Sequence, residues 1–493
     1  MTVPNLHIYA LVAPLLAAFF VNLFGRRSNT IIAILTIGSL AFSSLASLLV
    51  MSGVLKHGQI NYVVGNWQAP YGIELVVDHL SALMLVLISV VALLASISAL
   101  KSVSHELPGR EHQLFTLYLI LIAGLMGLVL TGDAFNLYVM LEITSITAYG
   151  LIAMGKERAP LASFNYIIMG SIGACFYLLG VGYLYLMTGS LNMADIYQIL
   201  QTMDGGTAVA TAFAFILIGL WIKMAFFPLH GWLPNAYSLA PTGVALIAAP
   251  LMTKVTIYLM VRVMFSVFSA EYDFVQHQMA QNVIVWTAAV GIICASAMAL
   301  AQRDLKRMLS YIIVAEVGYM VGGIWLANAT GMTGAILHIV NDALMTLCLF
   351  LAVAAIIYRL GSCEFDKLQG IYRKMPITMA AFTVGAFSMI GIPPTAGFFS
   401  KWYLLLGGIE AGQWGYVVAL LFSSLVNAVL FFRIIEIGFF HQDGEHLEHE
   451  KLAKAPLSMQ IPLMISAATL IIIGLSSGSL VEAIIKLTIP VGF

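Results

Sequence analysis

The stretch Ala212-Phe-Ala-Phe-Ile-Leu-Ile-Gly-Leu-Trp-Ile-Lys223-Met-Ala-Phe-Phe-Pro228-Leu-His230-Gly-Trp232-Leu-Pro234 decides how the chain is read. An apolar run long enough to enter a bilayer carries one lysine, Lys223, just before a proline that cannot continue a helix. A lysine at the centre of a membrane helix costs about 2.5 to 3.5 kcal/mol even on lenient insertion scales. It therefore needs a counter-ion, water or both, and marks a functional position.

The rest of the chain has the same character. Its 493 residues are 61% apolar and only 9% charged, with a mean hydropathy of +0.97. Such a composition cannot clothe a soluble core, so the fold class is an all-α polytopic membrane protein. Leu6 to Phe24 lacks a basic leader and a small-residue cleavage site, and reads as a retained first span. Cys175, Cys294, Cys348 and Cys363 have no Cys-x-x-Cys spacing, which argues for packing roles rather than a cluster or zinc site. The net charge of −1 names no partner, and nothing points to nucleic acid.

Polar, Pro and Gly punctuation divides the chain into about fourteen apolar segments of spanning length, from residue 5 to residue 477. Between the second and third, Ile60 to Trp67 and Ala69 to Gly72 combine alternation with turn residues, the pattern of a short extramembrane hairpin. Sixteen of the 22 basic residues, among them Arg26, Arg27, Lys156, Arg303, Lys306 and Arg373, border the odd-numbered loops. Basic residues near span ends stay cytoplasmic, so both termini are expected on the outer side of the plasma (inner) membrane.

Removing the loops leaves Glu142, Lys223, Lys254, Glu316, His338, Asp342 and Lys401 at membrane depth. Each is expensive there and is expected to face the bundle interior. A carboxylate and a lysine at similar depth favour each other's charged form while burial opposes both, so small movements can switch the pair. Glu142 and Lys223 are such a pair. His338 and Asp342, four residues apart, share one helix face and can touch; histidine titrates near working pH and suits a proton relay.

Two spans read as broken: the seventh at Phe226-Phe-Pro228, and the twelfth at Gly391-Ile-Pro393-Pro394-Thr-Ala-Gly397. Backbone freed at that depth is tolerated only inside protein or facing water. Matching interruptions, each with a nearby lysine, predict two inverted five-helix repeats, spans four to eight (about 112–268) and nine to thirteen (about 280–440), within one polytopic domain, 1–493. Gly170, Gly173, Gly180, Gly182 and Gly189 read as small-residue contact faces rather than a nucleotide loop. His441, His446 and His449 have spacings a metal could use, but their many acidic neighbours read as a solvated loop. Residues 479–493 are apolar and read as lying at the outer surface or docking on a partner.

Several motifs resemble those of the antiporter-like, proton-conducting membrane subunits shared by respiratory NADH dehydrogenases, membrane-bound hydrogenases and Mrp-type cation/proton antiporters. They are Trp232-Leu-Pro-Asn-Ala-Tyr-Ser-Leu-Ala-Pro241 followed by Lys254 and Tyr258, Gly132-Asp-Ala-Phe-Asn-Leu-Tyr-Val-Met-Leu-Glu142, Asp304-Leu-Lys-Arg-Met-Leu-Ser-Tyr311 with Gly318-Tyr319, and Met375-Pro376 leading to Gly391-Ile-Pro-Pro-Thr-Ala-Gly-Phe-Phe-Ser-Lys401. The likeness covers roughly residues 70 to 440 and looks most similar to the Mrp D subunit and its hydrogenase relatives. It implies that Glu142 and Lys223 form a switching ion pair, that Lys254 and His338 pass protons along a central polar axis, and that Lys401 is the exit-side lysine. Family members often carry histidine where this chain has Asp342, lysine where it has Thr346, and glutamine or histidine where it has Glu316. These carboxylates could relay protons or, with backbone carbonyls, coordinate sodium, a hard cation that prefers oxygen. The expected role is proton translocation in a multisubunit cation(Na+)/H+ antiporter, the alternative a proton-pumping subunit of a redox-driven complex. Partners would be other membrane subunits, with no cofactor and no redox chemistry in this chain.

Overall fold

The computed structural model describes residues 5–203, 206–269, 277–440 and 454–489. Two helices, α1 (Leu6–Phe24) and α2 (Asn29–His57), lead to an antiparallel hairpin, β1 (Ile60–Val63) and β2 (Glu74–Val77), with Ile60 opposite Val77 and Val63 opposite Glu74. The hairpin falls where the alternating pattern places it. Next come α3 (His79–Glu106), α4 (Glu111–Leu130), α5 (Ala134–Ala153), α6 (Ala159–Thr188) and the short α7 (Met193–Thr202). They are followed by α8 (Thr207–Met224), α9 (Leu233–Leu239) and α10 (Thr242–Arg262), which runs on as a π-turn over Val263–Phe268. The remainder comprises α11 (Gln278–Leu300), α12 (Leu305–Trp325), α13 (Ala329–Leu360), α14 (Pro376–Ile390), α15 (Ala396–Glu410), α16 (Trp414–Phe440) and α17 (Leu457–Leu475).

Among the described residues, thirteen helices are long and apolar enough to cross a membrane. The sequence supplies their start signals. Asp133 accepts from the Asn136 amide at 2.6 Å, Asp304 from Arg307 at 2.8 Å and Asn328 from Gly331 at 2.7 Å, each satisfying a donor orphaned at a helix N-terminus. Helices α14 and α15 are fifteen residues each, about 22 Å long, short of the roughly 30 Å hydrocarbon core. Gly391, at φ 94°, ends the first, and the chain turns through Pro393 and Pro394 before the second begins.

Helix α10 forms the axis. It packs on α13, α3, α8 and α12, and its apolar window is buried throughout. Helices α12 and α13 are nearly as enclosed, whereas α1, α2, α6, α11 and α17 turn broad apolar faces outward. Of the glycines in α6, a Cβ on Gly170 would fall 1.9 Å from the Tyr149 hydroxyl and one on Gly180 2.7 Å from the Ala212 carbonyl. Gly182 and Gly189 face open space and are not contact positions. His441, His446 and His449 lie outside the described residues, as do residues 490–493.

Candidate functional site

Lys223 occupies the last turn of α8, and its ammonium lies 3.2 Å from Glu142 Oε1 and 2.6 Å from Ser145 Oγ, both on α5. Ser145 follows Glu142 by three residues and so shares its helix face. Helix α8 ends beside the pair: Ala225 takes a left-handed conformation and its amide donates to the Ile222 carbonyl at 3.2 Å, which also accepts from the Trp232 indole at 3.0 Å. Trp232 is itself stacked on Tyr166 at 3.8 Å, which fixes the interruption against α6.

Glu142 departs from the sequence expectation. It does not face the interior; 26% of its side chain is exposed, on a strip of α5 that also exposes Phe135, Val139 and Ile146. The carboxylate sits at the edge of the bundle and reaches Lys223 sideways, because α5 packs between α4 and α6 with its third side open.

Lys254, on α10, is fully buried and paired at 2.8 Å with Asp342 of α13, which is also fully buried. Thr346, one turn along α13, donates to the other Asp342 oxygen at 2.9 Å, while Lys254 also donates to the Ala249 carbonyl at 3.3 Å.

His338 and Asp342 share a face as their spacing requires, yet they are not partners. His338 Nε2 meets Glu316 Oε2 of α12 at 2.5 Å, and its Nδ1 meets Ser400 Oγ of α15 at 2.8 Å. An ionised carboxylate only accepts, so wherever Glu316 is ionised the contact requires a proton on Nε2. Lys401 stands 3.8 Å from the other Glu316 oxygen, donates to the Met389 carbonyl at 2.6 Å and lies 5.0 Å from the centre of the Tyr319 ring. Met389 is in the last turn of α14, where carbonyls have no helical donor. The interruption thus supplies the acceptor for the lysine that follows it.

All seven candidates therefore fall into three groups: Glu142 with Lys223, Lys254 with Asp342, and Glu316 with His338 and Lys401. Helices α8, α10, α13 and α15, which carry the three lysines and link them, pack consecutively. Ser145, Ser400, Thr346 and Tyr319 complete the groups. Helical spacing could have found all four, since each lies within four residues of a charged member, but an aromatic ring such as Tyr319 at that spacing is also what core packing supplies. Lys306, read as a loop residue, is buried instead and donates to the Ala240 carbonyl at 2.5 Å, because the α9–α10 junction folds over it.

A bundle that buries lysine–carboxylate pairs at the ends of short apolar helices is an antiporter-like membrane protein. Residues 131–427 match the family described as NADH:quinone oxidoreductase/Mrp antiporter, TM, and the chain belongs to it. It is 43% identical to NADH-quinone oxidoreductase subunit N of Desulforudis audaxviator, over 87% of both chains. It is 29% identical to the putative antiporter subunit mnhD2 of Staphylococcus aureus, over 97% of this chain and 94% of that one. Among solved structures, a chain of the membrane-bound sulfane sulfur reductase, an archaeal respiratory membrane complex, superposes with a TM-score of 0.88 at 29% identity, covering 97% of this chain and 96% of that one. A chain of the Mrp complex of a Dietzia species has the same fold, with a TM-score of 0.87 at 24% identity, covering 98% and 97%.

Proposed function

We propose that this chain is a proton-translocating subunit of a multisubunit membrane complex, passing protons along Glu142, Lys223, Lys254, His338 and Lys401. The observation that carries the reading is that each of the three buried lysines lies against a carboxylate on another helix and also donates to a neutral acceptor. A lysine so placed can exchange one partner for the other as helices shift, and its affinity for its proton changes with the exchange. Glu316 and Asp342 are the carboxylates of the second and third groups. A sodium ion could take either only by displacing an ammonium. Glu142, at the open edge of α5, is placed to be drawn away by a neighbouring subunit, and this would start the cycle.

The two-repeat plan belongs to the same proposal. Asp133 begins α5 and forms a backbone bridge with Asn192; Asp304 begins α12 and bridges Glu364, in each case about sixty residues further on. The carboxylate of α5 pairs with the lysine before one helix interruption, and the carboxylate of α12 lies near the lysine after the other. The complex is placed in the plasma membrane with both termini outside, on the asymmetry of basic residues.

Two drives fit this relay. A redox-driven complex is supported by the 43% relative, an oxidoreductase subunit by name, and by the archaeal respiratory chain; this chain itself carries no redox motif. A cation(Na+)/H+ antiporter is supported by the full-length match to an antiporter subunit. Purification in mild detergent separates them: iron–sulfur or other redox subunits support the first, small membrane subunits alone the second. For the relay, Lys223→Ala should eliminate proton translocation by the reconstituted complex without loss of assembly. Normal translocation in that variant overturns the proposal.

A further inference from the structure

Lys254 has a neighbour that none of the three groups uses. Tyr258 lies four residues beyond it and Arg262 four beyond that, so the three share one face of α10. Long helical side chains lie back over the preceding turn, which sets Tyr258 over Lys254 and Arg262 over Tyr258. The Tyr258 hydroxyl donates to the Val129 carbonyl at 3.0 Å and accepts from Arg262 Nη2 at 3.0 Å and Nε at 3.2 Å.

The far side of the guanidinium is clamped. Arg262 Nη1 and Nη2 donate to the two oxygens of Asp78 at 2.6 and 2.8 Å, the paired geometry in which guanidinium–carboxylate contacts are strongest. Asp78 caps α3 through the Ser81 amide at 2.9 Å, so the clamp joins the end of the hairpin to α10. Just beyond Arg262 the helix widens into its π-turn, where Ser266 accepts from Arg262 at 3.2 Å.

Two cavities meet at this clamp. One of about 330 Å³ is lined by Tyr197, Ser269 and Thr488 together with Asp78 and Arg262. The other, of about 200 Å³, is lined by the hairpin residues Gln59, Asn61 and Glu74 and again by Asp78 and Arg262. Both are polar enough and roomy enough for several waters, and both lie at the hairpin end. Along α10, Tyr258 is one turn from Arg262, whose guanidinium lies 5.3 Å from the centre of its ring, and one turn from Lys254.

We propose that the Asp78–Arg262 pair is the closed gate of an outlet from Lys254 toward the hairpin side, with Tyr258 as the side chain that passes the proton. The proposal rests on the relay reading above and makes this outlet, rather than Lys401, the route by which most protons leave. When the clamp parts, cavity water reaches the Tyr258 hydroxyl. The ammonium of Lys254 gives up one proton as the hydroxyl passes one to that water, leaving a neutral amine and an unchanged phenol. The relay then returns a proton to Lys254.

The test uses the complete complex in proteoliposomes containing a pH-sensitive dye. Asp78→Asn keeps a capping oxygen but removes the charge that holds Arg262. Passive proton leak should rise roughly tenfold, as expected for loss of a charge-assisted contact, and adding Lys254→Ala or Tyr258→Phe should return it to the parent level. An unchanged leak, or one that persists without Lys254, overturns the proposal. If Asp78→Asn does not assemble, Tyr258→Phe alone decides: it keeps the ring and both Asp78–Arg262 contacts while removing the hydroxyl, and driven translocation should fall about a hundredfold, the low end of what a positioned proton-transfer group supplies. An unchanged rate overturns the outlet. Lys223→Ala in the same vesicles separates the two readings, because normal translocation there refutes the relay itself, whereas its loss beside a normal Tyr258→Phe refutes only the outlet.

Discussion

Asp342→Asn isolates one charge in the deepest part of the molecule. Lys254 and Asp342 are both fully buried and 2.8 Å apart. Asparagine keeps an oxygen for the Thr346 hydroxyl, now 2.9 Å away, so the substitution removes the charge and little else. Taking one partner from a buried pair costs about 3–5 kcal/mol, because the other charge is left without compensation. Replacing both partners by apolar groups of similar volume is often neutral or stabilising, by about 1–4 kcal/mol. The expected pattern is therefore non-additive. Asp342→Asn and Lys254→Met should each shorten the thermal half-life of the complex sharply, and Lys254→Met/Asp342→Leu should restore it to near the parent value or above. Monodispersity on size exclusion after graded heating measures this. Proton translocation should be absent in all three variants, the stable double variant included. A single Asp342→Asn variant as stable as the parent would refute the energetic reading of the pair. A stable double variant that still translocates would refute its place in the relay.

The other groups give further expectations. Ser145→Ala removes the 2.6 Å acceptor of Lys223 but leaves Glu142, so translocation should fall about fivefold, one hydrogen bond's worth, where Lys223→Ala abolishes it; dye-monitored vesicles compare the two. A Cβ on Gly397 would fall 1.9 Å from the Ser388 carbonyl, so Gly397→Ala should push α15 from α14 and cost about 1–3 kcal/mol, read as a lower unfolding temperature with slowed transport. Burial works to raise the pKa of Asp78, but the Arg262 guanidinium and the Ser81 donors outweigh it and hold the carboxyl well below the usual range. A depressed carboxylate contributes stability that is complete above its ordinary value near 3.9 and is lost only as pH falls toward the depressed one. Passive proton leak should accordingly be flat from neutral pH to about pH 5, and a leak that grows over that interval would contradict the clamp.

The spans and the first ion pair were legible in the sequence because both follow from local cost. An apolar run of twenty residues has few other uses, and a lysine in one needs a carboxylate at matching depth, which Glu142 supplies. The second-half pairings were not legible. The four-residue spacing of His338 and Asp342 fixes a shared face of α13, but the partner of each depends on what packs there: α12 brings Glu316 to the histidine, and α10 brings Lys254 to the aspartate. Lys306 misled for a related reason. Its position at a span edge reads as a loop, and only the folding of the α9–α10 junction over it buries the side chain. The exposure of Glu142 is a third case, since periodicity within α5 cannot reveal which flank lacks a neighbour.

The charge on the buried set bears on mechanism. Lys223, Lys254 and Lys401 are three bases and Glu142, Glu316 and Asp342 three acids, so by residue type the set balances one to one around His338. His338 is also the group with a carboxylate on one nitrogen and a hydroxyl on the other. Under the proposed relay, an extra proton entering the row would add a net charge in a medium that resists it, and His338, between Glu316 and Ser400, is the remaining basic group of the row besides the three lysines. Passage of that proton toward Lys401 restores neutrality only if a lysine has already released one. Under the proposed relay, protons would move by exchange, one in as another leaves, and Glu142 at the open edge is where a neighbouring subunit would start the exchange.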